Sequence, residues 1–209
     1  MPPDPPDLSD TTPRSRRSRA ELRQATLEEA RKIILADGPE ALTARRLAEA
    51  VGYTPGTIYN LFDSLPDVLW QVNRSHFTRI AALYDDLPGD SPQIRLQTVA
   101  ARYLHLVRTE PTLYRSLFDG PRRSEHFPEW YHEAINQLLD LTADELVAIA
   151  PEMSRQTARH EAVAIFAAIQ GIAQLSSSGR LDLLTDQGAG DLAQGLMTRI
   201  LRDMTRQGG

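Results

Sequence analysis

The 209-residue sequence has no cysteine, which excludes disulfides, thiolate metal ligands and a cysteine nucleophile at once. It also lacks any apolar run near the roughly 18 residues that span a bilayer. The opening MPPDPPDLSD has no apolar stretch of a secretory signal, so a cytoplasmic location without membrane contact is expected. No segment alternates with the period of a strand, which points to an all-α fold. None of the five histidines, His76, His105, His126, His132 and His160, forms an H-E-x-x-H or Glu-x-x-His arrangement with a partner at i+4 that would hold a metal, so no metal site is expected. Asp85 and Asp86 adjoin, but neighbours on a helix point apart, and they read as a solvated end. With no phosphate-binding glycine loop, nucleophile elbow or redox motif, neither cofactor nor catalytic residue is expected.

What is present is ordinary for a globular chain: 41% hydrophobic and 24% charged residues. The net charge of -5 argues against a chain that coats nucleic acid through bulk positive charge, but it is unevenly spread. Residues 11 to 62 hold nine basic against six acidic residues, a surplus of three positive charges; residues 63 to 209 hold 14 against 19, a deficit of five. Arg14, Arg16, Arg17 and Arg19 crowd the start of the basic segment. Such a cluster suits phosphate contact, because the guanidinium donates a fixed fork of hydrogen bonds; a solvated tail is the plain alternative.

Five of the 14 prolines lie in the first 13 residues, which predicts a disordered arm over residues 1–17. From Ser18, apolar residues recur at three and four, with Leu27, Ala30, Ile33 and Ile34 on one face, until Gly38 and Pro39 stop a helix of about 20 residues. Further helices are expected from Leu65 to about Asp86, from Pro92 to about Thr109, over TLYRSLF, from Trp130 to Ile149, from about Ser154 to Ser176 and from Asp191 to about Met204. With two short ones described next, the count is about nine.

Between Thr43 and Phe62 each demanding position of a helix-turn-helix receives a suitable residue. Thr43 suits the N-cap of the first short helix, with its hydroxyl beside amides that a phosphate would also seek. Leu47, Ala48 and Val51 form the inward face, Ala48 being small where two helices cross. Gly52 suits a turn with positive φ. Thr54 is expected to cap the second helix, and Pro55 to occupy its first turn. Ile58, Leu61 and Phe62 return to the core at i, i+3 and i+4, which turns Thr57, Tyr59 and Asn60 outward.

The stretch LTARRLAEAVGYTPGTIYNLFDS resembles the DNA-binding domain of the TetR family of bacterial repressors, over residues 18 to about 70. That resemblance implies a three-helix DNA-binding domain, here 18–63, followed by a larger helical ligand-binding and dimerisation domain, 64–209. It implies a double-stranded operator, a small-molecule effector and a second copy of the chain as partners. Carried onto matching positions, Thr43, Thr54, Thr57 and Tyr59 would contact phosphates, and Pro55, Gly56 and Asn60 would face base edges or the groove floor. Arg17 and Arg45 join this DNA-facing set. Where the family commonly has a lysine two residues after the position of Asp63, this chain has Leu65, so one phosphate contact is missing. FDSLPDVL and FAAIQGIAQLSSSGRL resemble a subgroup with a WHG-type C-terminal domain, with Phe166 and Gln170 where that motif has Trp and His.

An effector cavity is expected between the helices near residues 91–109, 130–149 and 154–176, since bundle pockets are lined by large apolar side chains with few polar groups. Phe77, His105, Trp130, Phe166 and Gln170 are the candidates, ordinary packing being the competing role for each. The last two long helices suit pairing with their symmetry mates as a four-helix bundle, Ala164, Ala168 and Gly171 allowing close approach. The rival reading is a helical small-molecule-binding or enzymatic protein whose N-terminal motif is only structural.

Overall fold

A computed structural model describes residues 17–89, 91–118 and 127–207. Among these the chain is helical throughout, without strands. The expected arm over residues 1–17 falls outside the described residues except for Arg17, which is exposed. Nine α-helices follow: α1 Arg19–Asp37, α2 Ala44–Val51, α3 Pro55–Leu61, α4 Leu65–Ala81, α5 Pro92–Thr109, α6 Pro111–Phe118, α7 Glu129–Ile149, α8 Arg155–Ser177 and α9 Ala189–Gln207. Short 3-10 turns stand at Pro39–Ala41, Ala82–Tyr84 and Leu181–Leu183.

The first helix begins where its cap chemistry dictates. Ser18 Oγ accepts from the Glu21 amide at 3.2 Å and the Ser18 amide donates to Glu21 Oε2 at 2.7 Å, a reciprocal capping box. It ends at Gly38, whose amide still reaches Ile34 O before Pro39 forbids another turn. The expected fourth helix is shorter than its apolar pattern suggested. It stops at Ala81 and tightens into a 3-10 turn, because Arg102 takes the carbonyls of Leu83, Asp85 and Asp86, at 3.0, 2.8 and 3.2 Å. Those acceptors leave the helical ladder for a guanidinium on α5.

Two apolar cores result. The smaller joins Ala30, Ile33 and Ile34 of α1, Leu47 and Ala48 of α2, Ile58 and Leu61 of α3, and Phe62. The larger fills the space among α5, α7, α8 and α9. Helix α4 belongs to both: Val68 and Val72 pack in the first, Phe77 and Ile80 in the second. Leu113 of α6 enters the smaller core from the other side of the chain.

Polar contacts reinforce this junction. Glu110, between α5 and α6, accepts from Arg31 of α1 at 2.5 Å and from Arg79 of α4 at 2.5 and 3.0 Å. Buried Asn73 of α4 exchanges two hydrogen bonds with Ser116 of α6, donating to its carbonyl at 3.2 Å and accepting from its hydroxyl at 3.1 Å. Three helices are thus tied at the point where the two cores meet, and displacement of α4 strains contacts to both α1 and α6. No helix among the described residues is long and apolar enough to cross a membrane.

Candidate nucleic-acid interface and helical cavity

Thr43 stands at the N-cap of α2, its hydroxyl accepting from the Arg46 amide at 3.2 Å. The helix is sharply two-sided, with Leu47 and Ala48 sealed inside while Arg45 and Glu49 project outward and pair at 2.9 Å. Its end is set by Gly52, at φ 80° and ψ 35°. A Cβ there would meet nothing within 4 Å, so the demand for glycine comes from the left-handed backbone and not from lack of space.

Thr54 occupies the N-cap position of α3, but the expectation that its side chain caps the helix is corrected. Its hydroxyl pairs with the Thr57 hydroxyl at 3.2 Å and accepts from no backbone amide. The two threonine hydroxyls pair with one another, and the Thr57 amide, the N3 donor a cap would accept from, goes instead to the Thr54 carbonyl at 2.9 Å. Ile58, Leu61 and Phe62 are buried at 1%, 8% and 3% exposure, whereas Tyr59 is 55% exposed. Pro55, Gly56 and Asn60 are exposed as well, and Thr57 is half-buried.

The other end of α3 is held by α1, a feature the linear sequence did not reveal. Arg19 Nη2 donates to the Asn60 carbonyl at 3.0 Å. Arg23 donates to the Leu61 carbonyl and to Gln71 Oε1, the latter at 2.8 Å, and lies over the Phe62 ring at 4.5 Å. Arg19, read from sequence as part of a phosphate-seeking cluster, thus serves the C-terminal carbonyls of α3. Cations suit that end because the helix dipole leaves partial negative charge there. The outward side of the motif gathers Thr43, Arg45, Thr54, Pro55, Gly56, Thr57, Tyr59 and Asn60 on two short helices and the turn joining them.

In the larger core the structure separates the five cavity candidates. A narrow apolar cavity lies among α5, α7, α8, α9 and the end of α4. Phe166 lines it, and Gln170 accepts from the wall residue Tyr103 at 2.6 Å. Phe77 and Trp130 lie elsewhere, edge-on to each other at 6.1 Å and joined by Tyr131 in an aromatic cluster. His105 is on the exposed side of α5, its ring nitrogen 3.2 Å from Arg108 Nη2. The wall's own polar groups, Tyr84, Tyr103 and Thr142, were not singled out in the sequence. Their partners lie 58 and 67 residues away in sequence, so no local pattern marks them.

Comparison with known proteins follows the same division. Residues 27–65 match the family described as "Bacterial regulatory proteins, tetR family". Residues 96–203, more than half of the chain, match the "Tetracyclin repressor-like, C-terminal domain". No curated protein matches significantly. Among solved structures, a protein of unknown function from Rhodococcus sp. RHA1 superposes with a TM-score of 0.76 at 21% identity, over 92% of this chain and 98% of that one. A TetR-like transcriptional regulator from the same strain gives 0.63 at 20% identity, covering 90% and 99%. A TetR-type regulator from Streptomyces coelicolor gives 0.68 at 17% identity, covering 88% and 97%. Similarity at these identities concerns the fold, while the family matches carry the assignment and set aside the enzymatic alternative. The chain belongs to the TetR family and is a DNA-binding transcriptional regulator.

Proposed function

We propose that this regulator is a ligand-responsive repressor that binds an inverted-repeat operator as a homodimer. The observation carrying the DNA side of the proposal is the division of α3: one side is sealed in the smaller core while Tyr59 and Asn60 stand outward. In the proposal residues 18–63 read DNA, residues 64–209 bind effector and dimerise, and residues 1–17 form a basic arm. Thr43, Thr54, Thr57 and Tyr59 take phosphates, with Arg17 and Arg45 adding charge; Pro55, Gly56 and Asn60 approach the bases. Arg45 is held only by an exposed pair with Glu49, an interaction of about 0.3–0.5 kcal/mol, so it is readily surrendered to a phosphate. Leu65 offers no such group.

Support for the dimer comes from α8, whose outer side exposes Ala164, Ala167 and Gly171 beside Val163 at 46% exposure. Leu183 and Leu184 nearby are 82% and 70% exposed. Small residues on such a face let a second helix approach closely, and an exposed apolar face of this kind suits a two-fold bundle.

Support for the switch comes from α4. Ile80 near the end of α4 and Leu83 in the 3-10 turn after it line the cavity, while Val68 and Val72 of α4 pack against the DNA-reading motif. A ligand that fits the cavity better after α4 has shifted releases DNA, and about 1–3 kcal/mol of coupling suffices.

Selection from a random duplex pool at fixed salt tests the reading. The expected product is an inverted repeat whose half-site centres lie about 34–36 Å apart. A single unpaired half-site contradicts the dimer, and absence of any enriched sequence contradicts operator reading altogether.

A further inference from the structure

The cavity's hydrogen-bonding inventory restricts what it can hold. Among the described residues its wall is formed by apolar side chains, and the only polar side chains in it are Tyr84, Tyr103 and Thr142, with no charged residue. An ionised ligand entering this wall loses its hydration without gaining a counter-ion. Arg95 of α5 and Glu145 of α7 pair with each other at 2.6 to 3.0 Å and do not line the cavity.

The protons of the wall are already committed. Thr142 donates to the Leu138 carbonyl at 3.0 Å, one turn back on α7. The contact of 2.6 Å between Tyr84 and Thr142 hydroxyls is therefore made with the proton of Tyr84. Tyr103 likewise donates to Gln170 Oε1 at 2.6 Å. Burial raises the pKa of Tyr84 and Glu145 adds to the rise, so the phenol keeps that proton. What remains to the cavity are oxygen lone pairs, which accept and do not donate.

Building on the effector-binding reading above, we infer that the effector is an uncharged, mainly apolar molecule with one hydroxyl or N–H group that donates to the Tyr84 oxygen. An ether or ester of the same shape fills the space but leaves that lone pair unused. A carboxylate brings a charge that nothing in the wall neutralises, and offers an acceptor where an acceptor already stands.

Calorimetric titration of the full chain with three compounds of one shape tests this: 2-naphthol, 2-methoxynaphthalene and 2-naphthoate. Naphthol is expected to bind about fivefold more tightly than the methyl ether, the worth of one net hydrogen bond, and naphthoate more than tenfold more weakly than naphthol. In Tyr84→Phe the advantage of naphthol over the ether should vanish while the ether binds as before. Naphthoate binding as tightly as naphthol, equal affinity of naphthol and ether for the unaltered chain, or no binding by any of the three overturns the inference. The unaltered chain decides the order of affinities, so the result stands even if Tyr84→Phe folds poorly. Duplex affinity with and without naphthol is measured separately: naphthol that binds yet leaves the duplex bound preserves the ligand class and removes the switch.

Discussion

Replacing Ala48 by leucine is expected to abolish operator binding and to lower the melting temperature by several degrees. Ala48 is 1% exposed between α2 and its neighbours, in the same core as Leu47 and Ile58. Its carbonyl also receives the amides of Gly52 and Tyr53, at 3.0 and 2.9 Å, so the backbone at this position anchors the turn. Three extra carbons there have no void to fill. Overpacking costs about 1–3 kcal/mol, and at about 2–4 °C per kcal/mol for a chain of this size the loss is readily seen in a thermal scan. The larger consequence is geometric: moving α3 away from α2 displaces Tyr59 and Asn60 relative to Thr43 and Arg45, with which they are proposed to contact DNA. Ala50→Leu is the control, because Ala50 is exposed on the same helix and its enlargement should leave the melting temperature unchanged. Equal behaviour of the two variants would contradict the close crossing.

Acidification is expected to destabilise the chain through His76, and His76→Leu should remove much of that sensitivity. His76 is 1% exposed on α4, and its Nδ1 has no hydrogen-bond partner among the described residues. Burial lowers its pKa from 6.5 to about 4, aided by the positive charges of Arg79 and Arg31 and opposed by Glu110. Because the folded value is depressed, the unfolded chain binds the proton more readily. Stability is therefore intact above about pH 6.5 and declines as pH falls toward 4. The full decline is on the order of 3 kcal/mol at 1.36 kcal/mol per pKa unit. Glu110 acts in a lower window. Burial raises its carboxyl, but the hydrogen bonds and charges of Arg79 and Arg31 outweigh that and hold it below the ordinary value; its contribution is present above the unfolded carboxylate pKa and is lost as pH falls through the lower folded one. Urea unfolding at pH 7 and pH 4.5 separates them: His76→Leu should lose clearly less stability between these values than the unaltered chain. Parallel losses would place the acid sensitivity elsewhere.

Local signals were the ones legible in the sequence. Thr43 and Gly52 mark helix ends through neighbours three or four residues away, and the structure has a cap at the one and a left-handed turn at the other. The inward set Leu47, Ala48, Ile58, Leu61 and Phe62 followed from helical period alone. What failed to show depends on distant partners. The end of α4 is set by Arg102, 16 to 19 residues on, and the C-terminus of α3 by Arg19 and Arg23, 41 and 38 residues back. Thr54 looked like a cap because its type and position suit one; its hydroxyl is drawn instead to Thr57. Of the aromatic candidates, Phe166 lines the cavity beside α5, whereas Phe77 and Trp130 line a second cleft between α4 and α7. The polar groups of the wall sit on helices whose apposition no periodicity reveals.

Everything functional here rests on the outer side of α3 meeting a duplex. The direct measurement is the affinity of Tyr59→Ala and Asn60→Ala for the selected operator and for single-base variants of it, at one salt concentration and with helicity checked. Tyr59→Ala is expected to weaken every duplex by a similar factor, as loss of a phosphate contact does, whereas Asn60→Ala should shrink the gap between operator and variants, by about 1–3 kcal/mol at the affected base pair. Two folded variants that bind all duplexes as tightly and as selectively as the unaltered chain would contradict the account.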